Sequence, residues 1–178
     1  TRQVFFENVE VPVENLLGER NKGFRIAMNA LNAGRIKIGV ANTAIGKRAF
    51  KLGINYANER IQFGEKIANF GAIKEKIATM AARLYGLESS WNRSAQHIDE
   101  VYEELVDQGQ DKLEAKIKSC AEYAMECAII KVYGSEVESY IVDEALQIHG
   151  GMGFSGESEI SVHYRNVRGN RIYEGTNE

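Results

Sequence analysis

GAIKEKIATMAARLYGLESSWNRSAQHI, residues 71–98, sets the architecture. Its apolar positions Ile73, Ile77, Met80, Leu84, Leu87, Trp91, Ala95 and Ile98 recur at steps of 4, 3, 4, 3, 4, 4 and 3. Those steps mark one face of an α-helix, so the spacing predicts a helix over about 71–106. One apolar stripe needs partners of the same kind to cover it.

The partners lie on both sides. Upstream, Ile38, Ala41, Ile45, Ala49, Leu52 and Tyr56 predict a helix over about 22–58, with Asn21 as its N-cap. Gly34 and Gly39 lie inside it; each costs a helix about 1 kcal/mol relative to alanine, which points to close packing or a kink. Downstream, Gly109 and Asp111 mark a short turn. A third helix over about 111–148 carries Leu113, Ile117, Cys120, Ala124, Cys127, Ile130, Gly134, Val137, Ile141, Ala145 and Ile148, with a bend near Gly134–Ser135. A glycine-rich loop (150–156) and a short helix over about 157–168 follow. The expected fold is all-α, an antiparallel four-helix bundle of long helices with short links. Pro12 is the only proline, so little interrupts the helical ladders.

Residues 1–19 read differently. Val4, Phe5, Phe6, Val9, Val11 and Val13 predict a strand at Gln3–Phe6 and an extended crossing to Gly18. A lone strand needs partners. The expected division is residues 1–20 as the end of a β-domain with its linker and 21–178 as the bundle, the whole being part of a longer chain.

A net charge of −3 gives no electrostatic footprint for nucleic acid. No run of 18 apolar residues is present, and the opening residues do not read as a secretory leader. Cys120 and Cys127 fall two helical turns apart, roughly 10 Å, too far for a disulfide. They read as small buried apolar residues of a reducing compartment. No Glu-x-x-His pair and no zinc spacing occurs among the cysteines and histidines, so no metal site is expected. His97 and His163 read as surface residues.

Three stretches remain for chemistry. In Arg171-Ile172-Tyr173-Glu174-Gly175-Thr176-Asn177-Glu178 a carboxylate lies between an aromatic ring and a glycine. Glu174 is either one of 25 acidic residues in solvent or a desolvated general base. Thr176 or Asn177 suits the cap of a further helix. The glycine loop after His149 follows a helix C-terminus, which repels anions, so a dinucleotide fingerprint fails on context. In Arg60-Ile61-Gln62-Phe63-Gly64 the cation suits a phosphate and the ring suits stacking, or the segment is a solvated loop.

Taken together, the segments resemble the C-terminal part of the acyl-CoA dehydrogenase family. The resemblance runs in register along nearly the whole chain. It is carried by Phe6-Glu7-Asn8-Val9 through Leu17-Gly18-Glu19, Leu31-Asn32-Ala33-Gly34-Arg35, Arg60 to Gly64, Gln147-Ile148-His149-Gly150-Gly151-Met152-Gly153-Phe154, and Ile172 to Asn177. Phe63 to Ile67 with Asn69-Phe70-Gly71 is similar to the very-long-chain branch.

The resemblance implies α,β-dehydrogenation of a fatty acyl-CoA to trans-2-enoyl-CoA. Glu174 would take the α-proton while the β-hydrogen leaves as hydride to FAD. The thioester oxygen would be polarised by the main-chain N–H of the base and by the flavin ribityl chain. The bound acyl chain, by desolvating the base, would raise its pKa toward neutrality. By the same match Asn32, Arg35, Tyr173 and Gly175 line the acyl-CoA site, and Arg35 pairs with the base or with the CoA moiety. Arg60, Gln62, Phe63 and Phe70 reach the FAD of a neighbouring subunit. Gln147, Ile148, His149, Gly150 and Gly151 meet its adenosine end, and Thr176, Asn177 and Glu178 contact the cofactor beyond the base. Implied partners are electron-transferring flavoprotein and further copies of the chain, as homodimer or homotetramer. The implied compartment is the bacterial cytoplasm or the mitochondrial matrix. Asn166 stands where many members have Asp. Gly34 stands where one branch carries its base, which favours Glu174. The isolated chain is expected to be inactive and largely flavin-free. The alternatives are a helical assembly module without catalysis and an acyl-CoA oxidase.

Overall fold

The computed structural model describes residues 2–178. Two helices of 37 residues dominate, α1 (Gly23–Glu59) and α2 (Gly71–Asp107). A small antiparallel hairpin, β1 (Ile61–Gln62) and β2 (Glu65–Lys66), joins them, with Ile61 opposite Lys66. The chain then forms α3 (Lys112–Glu122), α4 (Ala124–His149), the single turn α5 (Gly151–Phe154) and α6 (Glu159–Val167). A 3-10 turn, Arg168–Arg171, leads into the final segment. Asp111 caps α3, its Oδ1 accepting from the N–H groups of Leu113 and Glu114.

Packing between the helices gives their directions. Gly39, Gly46 and Gly53 of α1 face Ile130, Ile141 and Ala145 of α4 in rising order, so α1 and α4 run parallel. α2 runs against both: Lys47 pairs with Glu88, and Lys76 pairs with Glu144. The core is Ala49 and Ala57 from α1, Met80, Leu84 and Leu87 from α2, Val137, Ile141, Val142, Ala145 and Ile148 from α4, and Ile160 and Val167 from α6.

The first and third long rods of the bundle therefore touch each other directly, and three glycines seven residues apart make that possible. A Cβ on Gly39 would overlap Ile130 Cγ2, one on Gly46 would lie 3.5 Å from Ile141 Cδ1, and one on Gly53 would lie 3.5 Å from the Ala145 Cα. Gly134 completes the seam from the other side, its own added Cβ falling 3.3 Å from the Gly39 Cα.

The helical bounds of α1 and α2 agree with the sequence period. Elsewhere the structure corrects it. Gln3–Phe6 form no strand: the segment has no regular secondary structure, and Phe5 and Phe6 are both 83% exposed. No second strand lies beside it among the described residues, and unpaired backbone cannot build a ladder. Asn21 does not cap α1. It adopts a left-handed φ of 67°, and Lys22 precedes the helix without a side-chain cap bond. The third predicted helix is two, broken at Tyr123 (φ −101°, ψ 30°), whereas Gly134 stays helical because its use is close packing. The glycine loop contains the turn α5, and the last helix is Glu159–Val167.

The faces shift as well. Ala41 is exposed, and the centre of the α1 face is Asn42, Gly46, Ala49 and Gly53, with Ile45, Leu52 and Tyr56 at its edges. On α3 the buried residues are Ala115 and Ser119. Leu113 and Ile117 instead border a cavity of about 800 Å³ between α3, the start of α1 and the segment before it.

Gly39→Val should destabilise the protein by about 1–3 kcal/mol through overpacking of the seam. Gly23→Ala, where an added methyl meets nothing within 4 Å, should change stability by less than about 0.5 kcal/mol. Urea unfolding of the two variants checks this; equal midpoints would show that the seam is not tight.

Candidate functional site

The final segment runs back along α4 toward the start of α1. It begins with a tight turn in which the N–H groups of Ile172 and Tyr173 both donate to the Gly169 carbonyl, at 2.9 and 3.1 Å. Glu174 then adopts a left-handed φ of 58° and Gly175 one of 92°. For a residue with a Cβ this costs on the order of 1 kcal/mol or more, so surrounding contacts must hold it.

Two cations supply those contacts. Lys131 Nζ on α4 donates to the Gly175 carbonyl at 2.6 Å and to Asn177 Oδ1 at 2.8 Å. Arg35 Nε and Nη2 on α1 each lie 3.4 Å from the Glu174 carbonyl. Arg35 thus engages the main chain of Glu174; no ion pair to its carboxylate forms among the described residues. Asn177 Nδ2 donates to Ser135 Oγ and to Glu136 Oε1, both at 2.9 Å. Glu136 also pairs with Arg171.

The Glu174 carboxylate turns inward. Its Oε2 is buried and has no hydrogen-bond partner. It lies in the space left by Gly34, where an added Cβ would approach Oε2 to 3.2 Å. A buried, unpartnered carboxylate oxygen is costly unless something else comes to use it.

Lys131, Ser135 and Glu138 form a stripe at i, i+4 and i+7 on α4, and all three are at most 2% exposed. Burial pushes the Lys131 ammonium pKa down, aided by neighbouring Arg35 and opposed by Glu178, Glu174 and Glu136. Glu138 Oε2 accepts from Asn170 Nδ2 at 2.6 Å, and the Asn42 amide of α1 lies 2.9 Å from that nitrogen. Burial raises the Glu138 carboxyl to about 7, against the hydrogen bond from Asn170. Tyr173 donates its hydroxyl to Asn170 Oδ1 at 2.6 Å. Its pKa is raised by burial and by the nearby Glu138 and Glu174.

Of the predicted site residues, the structure brings Arg35, Tyr173, Glu174, Gly175 and Asn177 together. Asn32 is buried on α1 about one turn before Arg35, while Thr176 and Glu178 are exposed beside the cluster. The other predicted residues gather elsewhere. Arg60, Gln62, Phe63 and Phe70 lie on or beside the hairpin, where Arg60 donates to Gln62 Oε1 at 3.3 Å. Phe63 is 90% exposed, with a left-handed φ of 56° and its ring 6.5 Å from that of Phe70. Gln147 to Gly151 close α4 at the same end of the bundle, since the His149 ring stacks on Tyr56 of α1 at 4.4 Å. His149 Nδ1 lies 2.7 Å from the Ala145 carbonyl, and the Ile148 side chain belongs to the core. An added Cβ on Gly150 or Gly151 would meet nothing within 4 Å. Arg35 and Arg60 are separated along α1 by roughly 37 Å at 1.5 Å per residue. One chain thus holds two distant clusters.

The remaining candidates are structural. Cys120 and Cys127 are free, and burial raises the Cys127 thiol to about 11, too high for a nucleophile. His97 and His163 are half-buried and pair with Glu100 and Glu159 on their own helices. No cluster of metal-ligating side chains occurs among the described residues, and no helix among them is long and apolar enough to cross a membrane.

Residues 21–178 match the model of the acyl-CoA dehydrogenase C-terminal domain. The chain belongs to the acyl-CoA dehydrogenase family. It is 48% identical over its whole length to a probable acyl-CoA dehydrogenase of Bacillus subtilis and covers 30% of that protein. It is 38% identical to the very long-chain specific, mitochondrial acyl-CoA dehydrogenase of Rattus norvegicus and covers 24% of it. A crystal structure of a Bacillus anthracis acyl-CoA dehydrogenase complexed with FAD superposes with a TM-score of 0.91 at 49% identity. That match covers 96% of this chain and 29% of the other. The chain therefore spans about a quarter to a third of the length of these family members.

The family motifs led to Glu174 and Arg35 but not to Lys131, Ser135, Glu138, Asn42 or Asn170. A signal for the α4 residues is present in the sequence: polar side chains at 131, 135 and 138 alternate with Ile130, Gly134 and Val137 on one helical face.

Glu138 makes stability depend on pH. Its pKa is higher in the fold than the ordinary 4.5, so its contribution is complete below pH 4.5 and is lost as pH rises through about 7. Glu138→Gln should remove that loss. It should gain up to about 3 kcal/mol over the parent protein at pH 8 and nothing at pH 4.5. Urea midpoints at the two pH values check this; an equal gain at both would remove Glu138 as the source.

Proposed function

We propose that this chain is the C-terminal helical part of an FAD-dependent acyl-CoA dehydrogenase, in which Glu174 removes the α-proton of a fatty acyl-CoA thioester. The single observation that carries the reading is the Glu174 carboxylate. Its main chain is held at two successive carbonyls, its own by Arg35 and that of Gly175 by Lys131, while its buried Oε2 has no partner among the described residues. A carboxylate held by its backbone and free at its oxygen suits a base that must reach one C–H bond. Lys131 and Arg35 keep their donors on carbonyls and leave the carboxylate free to accept a proton.

In the same reading, residues 1–20 lead from a β-domain into the bundle of 21–178. Asn32, Arg35, Tyr173 and Gly175 border the acyl-CoA, and the main-chain N–H of Glu174 polarises the thioester oxygen. Loss of the α-proton and the β-hydrogen leaves trans-2-enoyl-CoA.

The residues present fit FAD at the far end of the bundle. Exposed Phe63 offers a flat apolar face with Phe70 nearby, Arg60 and Gln62 offer polar groups, and the backbone at Gly150–Gly151 is open to close approach. Arg60, Gln62, Phe63, Phe70 and Gln147 to Gly151 would hold one FAD, and Thr176, Asn177 and Glu178 would border another. When bound, FAD accepts the β-hydrogen as hydride. Because the clusters lie far apart in one chain, each FAD draws on two copies, which calls for a homodimer or homotetramer. Electron-transferring flavoprotein is the proposed electron acceptor, and the bacterial cytoplasm or mitochondrial matrix the proposed compartment.

Glu174→Gln in the full-length protein should lower acyl-CoA dehydrogenation by about 10²–10⁴-fold, the usual contribution of a general base. Flavin should remain bound at wild-type stoichiometry. Anaerobic bleaching of the flavin by acyl-CoA measures the first and its visible spectrum the second; undiminished bleaching would remove Glu174 as the base.

A further inference from the structure

A carboxylate within the core, one helix away from the base, is unused by the reaction above. Glu138 is fully buried, and its Oε1 has no hydrogen-bond partner. Its neighbours on the same face of α4, Val137, Ile141 and Val142, are apolar core residues. An apolar side chain would avoid the desolvation that a carboxyl suffers there. No ion pair reaches Glu138 among the described residues. Its Oε2 accepts from the Asn170 amide at 2.6 Å, and the Asn42 amide lies 3.2 Å from the same oxygen.

Asn170 lies in the middle of the turn that delivers the base. The carbonyl of Gly169, just before it, accepts from the N–H groups of Ile172 and Tyr173 just after it. An amide has a donor end and an acceptor end. Glu138 takes the donor end, which turns Oδ1 toward the Tyr173 hydroxyl at 2.6 Å. Tyr173 is the residue before Glu174, whose left-handed backbone has its own grips only at the Glu174 and Gly175 carbonyls, through Arg35 and Lys131. The entry to that turn is held by the chain Glu138–Asn170–Tyr173. The Asn42 amide from α1 closes on the same spot, so α1, α4 and the final segment meet there.

We propose that Glu138 is a positioning residue for the base. By orienting the Asn170 amide it fixes the Tyr173–Glu174 turn, and with it the place of the Glu174 carboxylate relative to the substrate. This rests on the reading of Glu174 as the base. Glu138 touches neither substrate nor cofactor in this account; it acts through Asn170.

The test uses the full-length flavoprotein with Glu138→Leu, Glu138→Gln, Asn170→Ala, the double variant Glu138→Leu/Asn170→Ala, and Glu174→Gln. Glu138→Leu should lower kcat roughly 10- to 100-fold, as misplacement of a reacting group does, with KM changed less than about threefold. Flavin content should stay unchanged, and the melting temperature at pH 8 should not fall. Glu138→Gln keeps an acceptor for the amide and should restore kcat to within about threefold of the parent. Asn170→Ala should reproduce the kcat loss, and the double variant should lose no more than either single change. If Glu138→Leu does not fold, Asn170→Ala against Glu138→Gln carries the comparison. Parental kcat in Asn170→Ala, additive losses in the double variant, or a kcat loss that tracks a lower melting temperature would overturn the proposal. An active Glu174→Gln would instead overturn the reading on which it rests.

Discussion

The site, the groove and the final segment all follow from the close approach of α1 to α4. Side chains normally keep helix axes 8–10 Å apart. Here Gly39, Gly46 and Gly53 on one helix and Gly134 on the other remove the side chains that would hold the two apart. Dispersion attraction along such a seam offsets the helix propensity lost at each glycine, about 1 kcal/mol relative to alanine. Because the helices run parallel, residues of similar height on each face the same groove. The final segment lies in that groove. Gly34 and Arg35 of α1 and Lys131 of α4 meet Glu174 and Gly175 from its two walls.

Electrostatics then decides how the segment lies. α4 turns a polar stripe, not an apolar one, toward it. Lys131 grips a carbonyl and an amide, Ser135 shares Asn177, and Glu138 holds Asn170. Each group is desolvated, and desolvation makes every satisfied hydrogen bond count for more and every unsatisfied one cost more. Among the described residues two buried carboxylate oxygens stay without partners, Glu138 Oε1 in the core and Glu174 Oε2 beside Gly34. The first sits behind the turn and the second within it. The left-handed backbone at Glu174 is the strained element, and it persists because contacts from two helices over-determine it.

The long helices were legible because a 3.6-residue period extended over about seven turns, as from Ile73 to Ile98, leaves little ambiguity. The α2 stripe from Ile73 to Ile98 is half-buried or buried at every predicted position. The α1 face was legible only in part. Hydrophobicity selected Ala41 and Ile45, whereas the buried centre is Asn42, Gly46 and Gly53, residues that hydropathy does not rank as core. The break at Tyr123 escaped because no glycine or proline marks it, and Gly134, which suggested a bend, serves the seam. The strand expected at Gln3–Phe6 failed for want of a neighbour. At the site, motif spacing pointed to Glu174 with Arg35 and to the hairpin with Gln147–Gly151. The residues that hold Glu174 in place were silent, because Asn42, Lys131, Glu138 and Asn170 are scattered through 129 residues of sequence.

Residue order alone dictates the extent and amphipathic character of α1 and α2 and the presence of a carboxylate in a glycine-bounded turn. Those features depend on neighbours within a few residues, where periodicity and backbone preference operate. It took the packed molecule to establish that α1 and α4 touch, that Arg35 binds a carbonyl and not a carboxylate, and that a buried acid on α4 stands behind the turn. Those are relations between residues far apart in the chain. They arise from which side chains are excluded from water together, and no local pattern encodes that.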